Sequence, residues 1–148
     1  MAELKTEHVF EGAVESVFDG IRQYALYPKY LPGVTRIDVL PPKKPGSVAQ
    51  VRYELKLIKS FFYTLNMFEK SPSDIHWDLD DSNLMKKSNG SWKLSPAGEG
   101  QTKAIYSLDI AFSGFVPQKV VDQITKANLP LTFKGFQKLI DERKSEKS

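Results

Sequence analysis

Hydrophobic side chains recur at two spacings along this chain, and each change of spacing marks a change of element. Leu4, Thr6, His8 and Phe10 alternate with Lys5, Glu7, Val9 and Glu11, the period of a strand with a core side and a wet side. Val14, Val17, Phe18, Ile21 and Ala25 then fall at helical spacing. Tyr27-Pro28-Lys29-Tyr30-Leu31-Pro32-Gly33 ends that helix in a turn or a single helical turn, because each proline biases the residue before it away from helix. Alternation returns at Thr35, Ile37 and Val39, and again at Val51, Tyr53, Leu55 and Leu57. A tight Lys59-Ser60 connection leads to a strand over Phe61 to Glu69. In the next, Ile75, Trp77 and Leu79 oppose His76, Asp78 and Asp80. Asn89-Gly90-Ser91 reads as a turn or bulge before Trp92 and Leu94, and Pro96 to Gly100 as a hairpin loop. The seventh strand alternates through Thr102, Ala104, Tyr106, Leu108, Ile110 and Phe112.

The last long stretch, Val116 to Arg143, reads as a helix beginning near Pro117. On a wheel of about 100° per residue, Val120, Val121, Ile124, Ala127, Asn128 and Leu131 share one face, and Lys119, Asp122, Gln123 and Lys126 the other. Past Pro130 the apolar face becomes Thr132, Phe133, Phe136, Leu139 and Ile140, so a kink is expected at the proline. A long helix with one apolar face must bury it, and the strands upstream supply a sheet to bury it against. The order strand, helix, six strands, helix predicts a single α+β domain over 1–148. In it a curved seven-stranded antiparallel sheet wraps a long kinked C-terminal helix, with one or two short helices after the first strand and a polar tail from about 144.

Composition narrows the function classes. Of 148 residues, 21 are basic and 18 acidic, a net charge of +3 that is too mild and too interleaved to predict a nucleic-acid partner. Cysteine is absent, which removes disulfides, thiolate nucleophiles and Cys-ligated metal. The two histidines fall on opposite faces of their strands, so no metal site is assigned. Asp78, Asp80 and Asp81 read as a solvated sheet face and turn, and no G-x-S-x-G or phosphate loop occurs. No catalytic residue and no cofactor is assigned. The opening Met-Ala-Glu-Leu-Lys lacks the pattern of a secretory signal and no apolar run spans a bilayer, so a cytoplasmic location without stable membrane insertion is expected.

Three segments carry a family resemblance: Val14 to Val34 with Tyr27-Pro28 and Leu31-Pro32-Gly33-Val34; Ser91-Trp92-Lys93-Leu94-Ser95-Pro96 with Gly98, Gly100 and Thr102; and Leu129-Pro130-Leu131-Thr132 before Phe136. In this order they resemble the START-like, or helix-grip, superfamily, and within it the polyketide cyclase/dehydrase and coenzyme Q-binding family, nearly end to end. The resemblance implies a deep pocket between sheet and last helix for lipids, quinones or polyketides, in a bacterial chain.

The side chains expected to line that pocket are Tyr53, Leu55, Tyr63, Leu65, Trp77, Trp92, Tyr106 and Leu108 from the sheet, facing Val120, Ile124 and Asn128. Tyr27, Tyr30 and Leu31 are expected at its rim. His8 shares the inward face and reads either as a core-edge histidine or as a pocket acid–base group. Asn128 and Thr132 read either as ligand partners or as partners for backbone groups freed by Pro130. The expected function is binding of a hydrophobic small molecule, lipid, quinone or polyketide-like, as carrier or sensor. The bound quinone or lipid is a ligand, and no protein partner is named. A polyketide cyclase or dehydratase is the alternative, and a ribosome- or protein-interaction module a further one.

Overall fold

In the computed structural model, which describes residues 2–57 and 60–147, every strand joins one antiparallel sheet. Its strands are β1 (Ala2–Glu11), β2 (Val34–Leu40), β3 (Ala49–Lys56), β4 (Ser60–Lys70), β5 (Asp74–Ser82), β6 (Met85–Pro96) and β7 (Gln101–Phe112). They lie in the order β1-β7-β6-β5-β4-β3-β2. Between β1 and β2 the chain forms α1 (Val14–Ile21), a 3-10 turn (Tyr24–Leu26) and α2 (Tyr27–Tyr30). After β7 come α3 (Gln118–Asp122), a π-turn (Gln123–Ala127) and α4 (Leu129–Lys147). Fold class, strand count and element order are those the hydrophobic periods predict. Among the described residues no helix is long and apolar enough to cross a membrane.

Differences are local and have physical reasons. Asn89-Gly90-Ser91 is no turn but lies inside β6, where the ladder with β5 ends at the Trp77–Gly90 pair. The turn comes earlier: the Ser82 hydroxyl accepts hydrogen bonds from the Leu84 and Met85 N–H groups at 2.9 and 3.0 Å. Of the Lys59-Ser60 connection, Lys59 lies outside the described residues and Ser60 opens β4. The helix of α4 runs on through the segment expected as a polar tail, to Lys147.

The last helix is interrupted before Pro130 rather than at it. The π-turn and Asn128, with φ −94° and ψ 0°, break the α-helical run. Pro130 then falls in the first turn of α4, where an N–H has no helical partner to lose. The Thr125 hydroxyl donates to the Val121 carbonyl at 2.8 Å, and Thr132 N–H donates to the Asn128 carbonyl at 2.9 Å. This extra residue per turn rotates the face. Ala127 and Leu131, expected inward, are exposed, Leu131 at 56%. Beyond the break, Phe133, Phe136, Leu139 and Ile140 are buried as expected.

The second half of the last helix is docked closely. Ile140 packs on Gly20 of α1, and Arg143 pairs with Asp19 at 3.2 Å. Gln137 bridges the end of β1, accepting from Glu11 N–H and donating to Glu11 O, both at 2.9 Å. Gly135 lets α4 approach the backbone of α2, since a Cβ there would stand 2.2 Å from the Tyr30 carbonyl oxygen. In an unpacked helix Gly→Ala stabilises by about 1 kcal/mol. Here Gly135→Ala should instead destabilise by about 1–3 kcal/mol through overpacking, a sign reversal that urea unfolding measures directly.

Candidate functional site

Between the concave face of the sheet and the first part of the last helix lies a cavity of about 160 Å³. That is far more than the roughly 10–15 Å³ a single water needs. Alternation along β3 to β7 delivers its sheet wall: Tyr53, Leu55, Tyr63, Leu65, Trp77, Trp92, Tyr106 and Leu108 all line it, as their inward register requires. Ile124 and Asn128 line it from the helix side. Val120, expected beside them, is buried at 1% but packs in the core away from this space. Of the expected rim, Tyr27 and Leu31 reach the cavity. Tyr30 does not; it lies in a surface groove with Leu131 and Gly135.

The aromatic side chains form a continuous wall. Tyr53 and Tyr63 stack at 4.6 Å, Trp92 contacts Tyr106 at 4.7 Å and Phe136 at 5.3 Å, and Trp77 approaches Tyr106 at 6.1 Å. Trp77 can lie flat because its partner on β6 is Gly90; a Cβ there would stand 2.2 Å from the indole. Residues not foreseen as lining include Ser88 on β6, Met67, Met85, Phe136 and, most consequentially, Gln123. Thr132 lines it too. Gln123 falls on the outer face of an ideal helical wheel, and the π-turn brings it round.

The polar inventory of this space is distinctive. No lining residue among those described carries an ionisable acid, lysine, arginine or histidine. The Tyr27 hydroxyl donates to the Ile21 carbonyl and the Tyr24 hydroxyl to Glu69 at 2.7 Å, so these two fix the lip to the structure. Among the described residues the hydroxyls of Tyr53, Tyr63 and Tyr106 and the side chains of Asn128 and Thr132 make no hydrogen bond. Gln123 Oε1 is buried without a partner among the described residues. Burial pushes the Tyr106 phenol up to about 12, and raises Tyr53 and Tyr63 well above the usual phenol range, with neighbouring tyrosines adding to it. These groups are therefore neutral hydrogen-bond donors at physiological pH.

His8 is outside the cavity. Its ring stacks on Phe133 at 4.5 Å and meets Phe10 edge-on at 4.6 Å, in a surface groove with Lys126 and Pro130; burial lowers its pKa. His76, on the opposite face of the sheet, stacks on Phe68 at 4.7 Å. Asp78 pairs with Lys44 and accepts from Asn66 at 2.8 Å; burial raises its pKa but those hydrogen bonds outweigh it and hold the carboxyl low. Asp80 pairs with Lys43 at 3.6 Å on the same outer face.

The sequence profile of a family described as polyketide cyclase/dehydrase and lipid transport matches residues 1–140. No curated protein matches the sequence. Solved structures share the fold. A START superfamily protein from Mycobacterium smegmatis is 15% identical with a TM-score of 0.80, covering 95% of this chain and 98% of that one. The Zhui aromatase/cyclase from Streptomyces sp. R1128 is 9% identical with a TM-score of 0.80, over 96% and 94% of the two chains. Ara h 8.0201 is 14% identical with a TM-score of 0.71, over 95% and 98% of the two chains. At such identities the likeness is one of fold.

Raised phenol pKa values have a stability consequence with a definite sign. Above pH 10 the unfolded chain releases tyrosine protons that the folded chain retains, so stability falls as pH rises toward the folded values. Absorbance titration at 295 nm should show Tyr106 ionising only near 12, with Tyr53 and Tyr63 neutral until unfolding. The urea midpoint should be lower at pH 11 than at pH 8.

Proposed function

The chain belongs to the polyketide cyclase/dehydrase and lipid transport family, and from that premise we propose that it is a carrier or sensor for an uncharged hydrophobic small molecule. The observation that carries this reading is the character of the cavity: aromatic and aliphatic walls, several neutral polar groups without partners, and no charged side chain among the described lining. Burial of apolar ligand surface contributes about 25 cal/mol per Å², so a lipid-, quinone- or polyketide-sized molecule binds with few polar contacts. Ligand oxygens meeting the phenols of Tyr53, Tyr63 and Tyr106 set its orientation. Those hydroxyls would otherwise be left unpaired, at a cost of about 1–3 kcal/mol each in a dry core.

The cyclase reading needs a group that removes a proton inside the cavity. His8, the one imidazole on the inner face, stacks against Phe133 in an outer groove instead. The phenols, held neutral, polarise a carbonyl but take up no proton. Binding without turnover is the reading this chemistry supports.

The helix wall offers the site for a direct test. Ile124 is half-buried and lines the cavity, so Ile124→Trp fills it from the side. Wild-type protein should bind 2-acetylnaphthalene saturably at one site, seen as quenching of Trp77 and Trp92 fluorescence. The variant should bind at least tenfold more weakly, about 1.4 kcal/mol, with its thermal midpoint within a few degrees of wild type. A wild type that binds no such probe, with a variant that collapses, would mean a packed core and no carrier.

A further inference from the structure

We propose that the π-turn builds a selectivity strip along the cavity, Gln123, Asn128 and Thr132, which reads hydroxyl and carbonyl oxygens on an uncharged ligand. The inference rests on the carrier reading and adds the class of molecule carried.

The strip exists because of the helix break. In an unbroken α-helix residues five apart diverge by roughly 140°. The wider π-turn adds a residue to the ring, so Gln123 and Asn128 face the same space. From Asn128 the next lining positions are Thr132 and Phe136, at the four-residue spacing that keeps one face in α4. A row of three polar side chains therefore runs down the cavity and ends on an aromatic ring.

These side chains are not occupied in holding the break together. Backbone and Thr125 hydrogen bonds serve it: the Thr125 hydroxyl reaches the Val121 carbonyl and Thr132 N–H reaches the Asn128 carbonyl. Asn128 and Thr132 make no side-chain hydrogen bond among the described residues. Gln123 Oε1 is buried with no hydrogen-bond partner among the described residues. A buried acceptor left unpaired destabilises the empty protein, and a turn about the last side-chain torsion presents the carboxamide to the cavity and to a ligand hydroxyl. Across the space, neutral phenols donate to a ligand carbonyl. Among the described lining residues there is no cation to meet a carboxylate or phosphate, which would lose its water on entry without compensation. The geometry thus selects a flat or ring-bearing apolar molecule with neutral oxygen functions, against both plain hydrocarbons and anions.

Four probes of one shape test this: 2-acetylnaphthalene, 2-naphthol, 2-ethylnaphthalene and 2-naphthoate. In wild-type protein the ketone and the naphthol should bind about three- to tenfold tighter than the ethyl compound, the range of one net hydrogen bond. The naphthoate should bind weakest. Gln123→Leu should bring the naphthol and ethyl affinities together while leaving ethylnaphthalene binding intact. The same variant should raise the thermal midpoint, by about 2–4 °C, because it removes an unpaired acceptor. Thr132→Val, which swaps a hydroxyl for a methyl, should narrow the preference in the same sense. Equal affinities of wild type for the ethyl and oxygenated probes would overturn the strip while leaving the carrier reading intact. A loss of stability in Gln123→Leu with the naphthol preference unchanged would also overturn it, since Gln123 would then have a structural partner. Failure of all four probes to bind would overturn both.

Discussion

One helix has to serve two duties here, and the arrangement of the rest follows from how it divides them. Its second half is a core element: Phe136, Leu139 and Ile140 are buried to 3% exposure or less, Ile140 rests on α1, and Gln137 and Arg143 tie the outer side to β1 and α1. That docking is close, down to a glycine where α4 meets the backbone of α2. With the far end fixed, the near end buries Val120 and Thr125 but leaves part of the concave face of the sheet uncovered. The cavity is the remainder of that geometry.

Charge is segregated around this remainder. The outer face of the sheet carries ion pairs such as Lys44–Asp78, Lys43–Asp80, Lys87–Asp109 and Lys103–Glu7. Most are exposed enough that each contributes little to stability. The inner face carries none among the lining residues and uses tyrosine, tryptophan, serine and amides for its polarity. Aromatic side chains suit the task because each brings a large apolar area with one polar edge. The Tyr53–Tyr63 stack and the Trp92 contacts with Tyr106 and Phe136 hold the wall rigid while leaving those edges free.

The sheet wall was legible because strands have a period of two and tolerate no drift: once Trp77 or Tyr106 is placed inward, its neighbours follow. The helix wall was less so. Gln123 and Ala127 were assigned to the wrong faces for one reason, an assumed turn of 3.6 residues where the chain takes a π-turn. No residue type announces a π-turn, and Pro130 drew the expected kink to itself although it falls harmlessly in the first turn of α4. Val120, placed by the helical wheel, and Tyr30, placed by the aromatic lip, do not line the cavity: Val120 is buried in the core and Tyr30 lies in a surface groove. Along β6, Lys86 to Ser91 is polar enough to resemble a loop, yet it is a strand whose outer side is wet and whose Gly90 makes room for Trp77.

A fold shared at a TM-score of 0.80 with proteins only 9–15% identical does not itself choose a function. Among the described residues lining this cavity every polar group is uncharged: amide, hydroxyl, indole N–H or a phenol held protonated by burial. Their selectivity has an asymmetric logic, because a hydrogen-bonding group that finds no partner on a ligand stays buried and unpaired, which rejects the wrong molecule more strongly than it rewards the right one. On the proposed reading, a single extra residue in one helical turn changes what the cavity accepts, since it turns Gln123 toward the enclosed space.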